Sequence, residues 1–216
     1  MPRRFPATVA ARVEHEIVIT KSRFITTVAP VSGVEDADRV IAEVRRRYWD
    51  ARHNCTAMVT GVLGDQARSS DDGEPSGTAG VPMLEVLRRR DLTDVVVVVT
   101  RYFGGVKLGA GGLVRAYSTS VSEALDTAVP VRREALTQVR FDVDHADAGR
   151  LDNVLRDWVR HHGATLGDPA YGAAATFELW VPGDGIEPLR ADLAATSAGA
   201  LDPVIGEERV VDVPAD

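Results

Sequence analysis

Apolar and polar residues alternate over Val13-Glu14-His15-Glu16-Ile17-Val18-Ile19, the period-two signature of a half-buried strand. A second β-rich run, Arg23-Phe24-Ile25-Thr26-Thr27-Val28-Ala29, follows across Lys21-Ser22, which predicts two strands with Lys21 at the turn. The pattern then changes to a helical period. Ser32 and Glu35 have capping-box spacing ahead of Val40, Ile41, Val44 and Tyr48, so a helix is predicted over about residues 34–49, with Arg45-Arg46-Arg47 complementing its dipole. A turn through Asp50-Ala51-Arg52 leads into a strand containing His53, Asn54 and Cys55, and Met83, Leu84, Val86 and Leu87 mark a short helix that Pro82 would start. The valine run from Val95 to Thr100 has the length and branching of a buried strand, and Leu113, Ala116, Tyr117, Val121, Ala124 and Leu125 recur at helical spacing.

Beyond Val129-Pro130-Val131 the alternation becomes regular. Strand (136–143), helix (148–162), strand (164–171), strand (174–181), helix (186–196) and strand (204–211) follow one another, with Gly163 and Gly199 near the two helix ends. That order is βαββαβ, the ferredoxin-like plait. The chain is therefore expected to be α+β in two domains, 1–131 and 132–216.

Composition changes this picture in three ways. With 216 residues, 44% apolar and 26% charged, the chain has the makeup of a globular protein large enough for two cores. A single cysteine forbids an internal disulfide. Met1-Pro2-Arg3-Arg4 is too short for a signal and no membrane-length apolar run occurs, so a cytoplasmic protein without membrane contact is expected. The net charge of −7 is uneven: residues 1–133 carry 19 Lys and Arg against 16 Asp and Glu, and residues 134–216 carry 6 against 16. An anionic partner should meet the first part. Only Lys21 and Lys107 among the 25 cations are lysines, which suggests positions suited to a compact ammonium.

Two loops carry the candidate chemistry. The first, Asp71-Asp72-Gly73-Glu74-Pro75-Ser76-Gly77-Thr78-Ala79-Gly80, combines carboxylates with the hydroxyls of Ser76 and Thr78; hard-cation binding and ordinary turn chemistry are both open. The second, Arg101-Tyr102-Phe103-Gly104-Gly105-Val106-Lys107-Leu108-Gly109-Ala110-Gly111-Gly112, joins the valine strand to a helix N-terminus. There unpaired N–H groups, Arg101, Lys107 and Arg115 favour an anion. Named phosphate motifs do not fit: Gly104 and Gly109 have Walker spacing but Ala110 replaces the lysine, and Val114 breaks a dinucleotide pattern. Tight turns and close packing are the competing explanation for these glycines. His53 and Cys55, two apart, allow a metal or Cys-His reading beside that of a packed thiol.

Lys21-Ser22-Arg23-Phe24, Ala51-Arg52-His53-Asn54-Cys55, Asp71 through Gly80 and Arg101 through Arg115 resemble the IMPACT/YigZ family over most of the chain. The resemblance implies an N-terminal domain like the second domain of a small-subunit ribosomal protein, and a C-terminal domain similar to the last domain of elongation factor G. Ala57-Met58 departs from the family, which more often has an aromatic after the alanine. Eukaryotic members regulate translation by competing for a partner of a stress kinase, and bacterial members have been proposed to bind nucleic acid. No catalytic residue and no cofactor transfers. The binding candidates are Lys21, Arg23, His53, Asn54, Asp72, Glu74, Ser76, Thr78, Arg101, Tyr102, Phe103, Gly104, Gly105, Lys107, Gly109, Gly111 and Arg115. The expected function is a non-catalytic translation-associated regulator that binds RNA or a ribosome-associated protein, with phosphate in the glycine-rich loop and Tyr102 and Phe103 as stacking surfaces. The alternatives are an enzyme of phosphate-bearing small molecules or nucleotides, with Asp72 or Glu74 as base or magnesium ligand, and a protein-protein adaptor.

Overall fold

The computed structural model describes residues 5–214; the segment Met1-Pro2-Arg3-Arg4 considered above lies outside them. The chain divides into two compact units, one running up to Arg133 and the other Glu134–Asp212.

The first unit contains β1 (Thr8–Val9), β2 (Val13–Ile19), β3 (Ser22–Pro30), α1 (Val34–Arg47), β4 (His53–Thr60), β5 (Gln66–Ser70), α2 (Gly80–Arg89), β6 (Val95–Tyr102) and α3 (Gly109–Asp126). Five strands form an antiparallel sheet in the order β2-β3-β6-β4-β5. The valine run sits at its centre because helices cover both faces. Val95, Val97 and Val99 pack with Phe24, Met83 and Tyr117, and Val96 and Val98 pack with Ile41, Val44 and Met58. Each buried valine contributes about 1.5–3 kcal/mol, and a strand buried on both sides reads as an unbroken apolar run.

Several boundaries differ from the sequence pattern. The capping box closes through Asp36, whose Oδ2 accepts the Ser32 N–H at 3.0 Å, because Gly33 and not Ser32 is the N-cap. α2 starts at Gly80, ahead of Pro82, and α3 takes in Gly109 to Gly112. β5 carries no apolar periodicity: Gln66-Ala67-Arg68-Ser69-Ser70 is a mostly exposed edge strand paired only to β4.

The second unit is built from β7 (Pro130–Val143), α4 (His145–His162), β8 (Thr165–Leu166), β9 (Ala170–Tyr171), β10 (Ala175–Pro182), a 3-10 turn at Gly183–Gly185, α5 (Ile186–Ser197) and β11 (Val204–Pro214). The first four residues of β7 still belong to the first unit, where Pro130 and Val131 pair with β1, and the strand pairs with β10 from Leu136 onward. Strand order β11-β7-β10-β8 is that of the ferredoxin-like plait. The strand expected over residues 164–171 is two short pieces, each paired to β10. The core of this unit gathers Phe141, Leu151, Leu155, Phe177, Leu179 and Leu189. Gly163 caps α4 at φ 61°, while Ala198, not Gly199, is the left-handed cap of α5.

Candidate functional site

Strand register brings the sequence candidates to one end of the five-stranded sheet. Arg23 pairs with Tyr102, and Phe24 and His53 both pair with Arg101, so the start of β3, the end of β6 and the start of β4 lie side by side. The β2–β3 hairpin closes through Thr20 and Lys21, which take φ of 47° and 67°. Against this turn lies the loop after β6: a Cβ on Gly104 would stand 2.0 Å from the Lys21 carbonyl, and only glycine permits that approach. Ser22 Oγ accepts the Gly104 N–H at 3.2 Å. Gly105 and Gly109 then turn the loop at φ 88° and 70° into α3.

Beneath that surface runs a buried polar chain. Arg101 and Glu74, with side chains only 7% and 4% exposed, pair at 2.6 Å, and Arg101 also reaches Ser22 Oγ at 3.4 Å. Tyr117 donates its hydroxyl to Glu74 Oε1 at 2.8 Å, and Cys55 Sγ lies 3.3 Å from that hydroxyl and 3.0 Å from the Asp71 carbonyl. Burial, reinforced by the charges of Glu74, Asp72 and Asp71, pushes the Cys55 thiol up to about 12. It stays a thiol and is a poor nucleophile. The same burial raises the Tyr117 phenol.

The carboxylates of the first loop hold the loop itself. Asp71 accepts N–H bonds from Gly77, Ala79 and Gly80 at 2.8, 3.0 and 2.8 Å, capping α2 from outside the helix. Burial works against its charge, yet those three donors keep its carboxyl below the usual range. Asp72 accepts the Asn54 N–H at 2.6 Å and pairs with Arg45 at 2.9 Å, and its carbonyl lies 2.9 Å from His53 Nδ1. Asn54 Oδ1 accepts the Thr100 hydroxyl at 2.7 Å, and Thr78 donates to the Pro75 carbonyl at 2.6 Å. Ser76 is exposed. Among the described residues no group of three or more His, Cys, Asp and Glu is placed to hold a metal ion.

What remains open faces outward. A cleft of about 330 Å³ lies between the hairpin turn and the first turns of α3, lined by Ile19, Thr20, Lys107, Leu108, Gly112, Arg115, Ala116 and Thr119. Lys21, Lys107 and Arg115 are exposed and pair with no described residue, and Arg115 Nη1 lies 3.7 Å from where a Gly111 Cβ would be. Phe103 is 48% exposed, with the Arg101 guanidinium 5.7 Å from its ring centroid. Arg23 is bound by Glu16 at 2.8 and 2.9 Å and sits 5.4 Å above the Tyr102 ring. The Tyr102 hydroxyl donates to Asp50 at 2.7 Å, and burial with that carboxylate raises it to about 12. The structure thus lines the cleft with Lys107 and Arg115, sets Lys21, Gly109 and Gly111 next to lining residues in the chain, leaves Phe103 exposed over Arg101, and engages Arg23, His53, Asn54, Asp72, Glu74, Thr78 and Arg101 in internal bonds. Sequence reasoning missed Asp71, Ser22 and Tyr117 as the frame. Their partners lie 6 to 82 residues away, which no local pattern reports.

A helix-flanked antiparallel sheet with a cationic cleft, followed by a ferredoxin-like plait, defines the class: a two-domain α+β protein. The chain matches the Impact N-terminal domain over residues 20–125 and DUF1949, a domain of unknown function, over residues 141–200. It is 36% identical to the IMPACT family member YigZ of Escherichia coli over 88% of this chain and 92% of that one. To the IMPACT family member YvyE of Bacillus subtilis it is 50% identical, over 69% of each. A solved structure described as "Crystal structure of an hypothetical protein" superposes with a TM-score of 0.60 at 34% identity, over 96% of this chain and all of that one. The chain belongs to the IMPACT family. No described helix is long and apolar enough to cross a membrane.

Proposed function

We propose that this chain is a non-catalytic, cytoplasmic RNA-binding protein that acts beside the ribosome, and that its N-terminal unit holds the RNA backbone in the cleft at the start of α3. One observation carries the reading: Lys107 and Arg115, neither with a partner among the described residues, line a cleft at a helix N-terminus, where free N–H groups and the helix dipole add to their charge. Lys21 extends the positive edge, and exposed Phe103 offers a ring on which a base can stack. The candidate acids support a binding role over an enzymatic one, because Asp72 and Glu74 are both engaged in internal bonds. A relative in Caenorhabditis elegans, 36% identical over 45% of this chain and 40% of its own, is called Protein IMPACT homolog. The translation role that the family resemblance implies fits an RNA ligand.

Titration of labelled RNA with Lys107→Ala and Arg115→Ala tests this. Each variant is expected to weaken binding for every sequence and to lower the slope of log affinity against log salt by about one for each phosphate it no longer neutralises. A turnover of a small phosphate compound that Asp72→Asn or Glu74→Gln abolishes, with binding retained, would overturn the reading in favour of an enzyme.

A further inference from the structure

On the opposite face of the sheet, where the chain leaves α1, residues Tyr48 to Ala51 close a tight turn through an Ala51 N–H to Tyr48 carbonyl bond of 3.0 Å. Both neighbours of Trp49 are anchored. The Tyr48 N–H bonds to the Val44 carbonyl at 2.9 Å and its ring packs on the α1 core, while Asp50 accepts the Tyr102 hydroxyl. Trp49 itself is 82% exposed and stacks on no described ring. The arginines around it divide in the same way: Arg45 and Arg47 are held by Asp72 and Glu14, whereas Arg46 and Arg52 have no described partner.

A fixed backbone that presents a bare indole, with two unpartnered arginines three residues from it on either side along the chain, matches single-stranded nucleic acid, which offers a base face to stack and phosphates to neutralise. A protein hot spot fits less well, since such residues sit within a ring of neighbours that excludes water. Here the neighbours in the chain are mostly charged, and no other large apolar side chain between Val18 and Val62 is exposed. We propose that Trp49 is a base-stacking platform for a single RNA strand, with Arg46 and Arg52 taking the flanking phosphates. This rests on the RNA-binding reading above and lengthens its path. Tyr102, bonded to Asp50 next to Trp49, ends β6, and the loop that follows it runs through Phe103 to the cleft residues Lys107 and Leu108.

The test uses the full-length protein, a labelled decauridylate and, as a probe of the cleft alone, pyrophosphate. Trp49→Ala is expected to weaken decauridylate binding about tenfold, within the range for one stacked base, and Trp49→Phe to restore most of it. Neither should alter pyrophosphate binding. Decauridylate should quench the indole emission of the native protein, and that quenching should vanish in Trp49→Ala, which keeps Trp158 and Trp180. If Trp49→Ala binds decauridylate like the native chain while Lys107→Ala does not, the platform is refuted and the cleft stands. If decauridylate binds neither the native chain nor any variant, both fall. Loss of self-association in Trp49→Ala with unchanged decauridylate affinity would assign the indole to a protein interface and also refute the proposal.

Discussion

Lys21 adopts φ 67° next to Thr20 at 47°, at a two-residue hairpin turn where asparagine and glycine are the usual occupants. Two L-residues in the left-handed region cost about 1–2 kcal/mol each, and such outliers gather where a side chain is kept for another purpose. Lys21→Gly is therefore expected to raise the stability of the N-terminal unit by about 1 kcal/mol and at the same time weaken RNA binding. Urea unfolding and RNA titration of one preparation would separate the two, and a gain in stability with unchanged affinity would show that the ammonium is not used. The rarity of lysine pointed to this position from sequence alone, but its backbone strain did not show there. Glu74 and Arg101 illustrate the opposite limit. Both were legible as charged loop residues, yet their mutual burial depends on strands and helices 27 residues apart meeting at the sheet end, and charge alone does not distinguish an ion pair from a ligand-binding group.

Elements were readable where periodicity is strong. The valine strand and the α3 apolar stripe follow directly from pattern, whereas β5 did not, because an exposed edge strand needs no apolar face. The start of α2 was hidden for another reason: its cap is Asp71, 9 residues ahead of Gly80, outside the window of local capping motifs. That remote cap has a pH signature. Asp71 is lowered from 3.8 in the folded chain, so its stabilisation is complete above that unfolded value and disappears as pH falls through the lower folded one. Asp71→Asn should lose about 1 kcal/mol at neutral pH, and urea midpoints for variant and native protein should converge as the solution is taken below about pH 4. A gap that stays constant with pH would mean that the carboxylate charge is not what holds the turn.

For the whole molecule, the division of charge is the larger pattern. The cationic cleft belongs to the unit that ends at Arg133, where the Arg133–Asp94 ion pair at 2.7 Å fastens the last residues back onto it. We expect cleavage just after Arg133 to release two folded fragments, and the 1–133 fragment to bind RNA at least as tightly as the full chain. It carries 19 Lys and Arg against 16 Asp and Glu, and it is freed from a segment with 16 acids and 6 bases. The advantage should fade between about 50 and 200 mM salt as screening shortens the reach of the acidic unit. Circular dichroism of the fragment followed by calorimetric titration decides it, since a folded fragment that binds more weakly would assign part of the RNA interface to the plait.

The near-exclusive use of arginine has a practical corollary. Lys107 lines the cleft and Lys21 follows Thr20, which lines it too, and the chain has no other lysine. An acylating reagent that modifies primary amines can thus react only at this one surface and at the chain's α-amino group. The mass of the intact protein after brief labelling becomes an occupancy meter: two side-chain adducts when the surface is empty, and fewer as an occupant shields it. Any cellular acyl transfer to lysine would likewise have a single address on this molecule, and would act there by erasing charge.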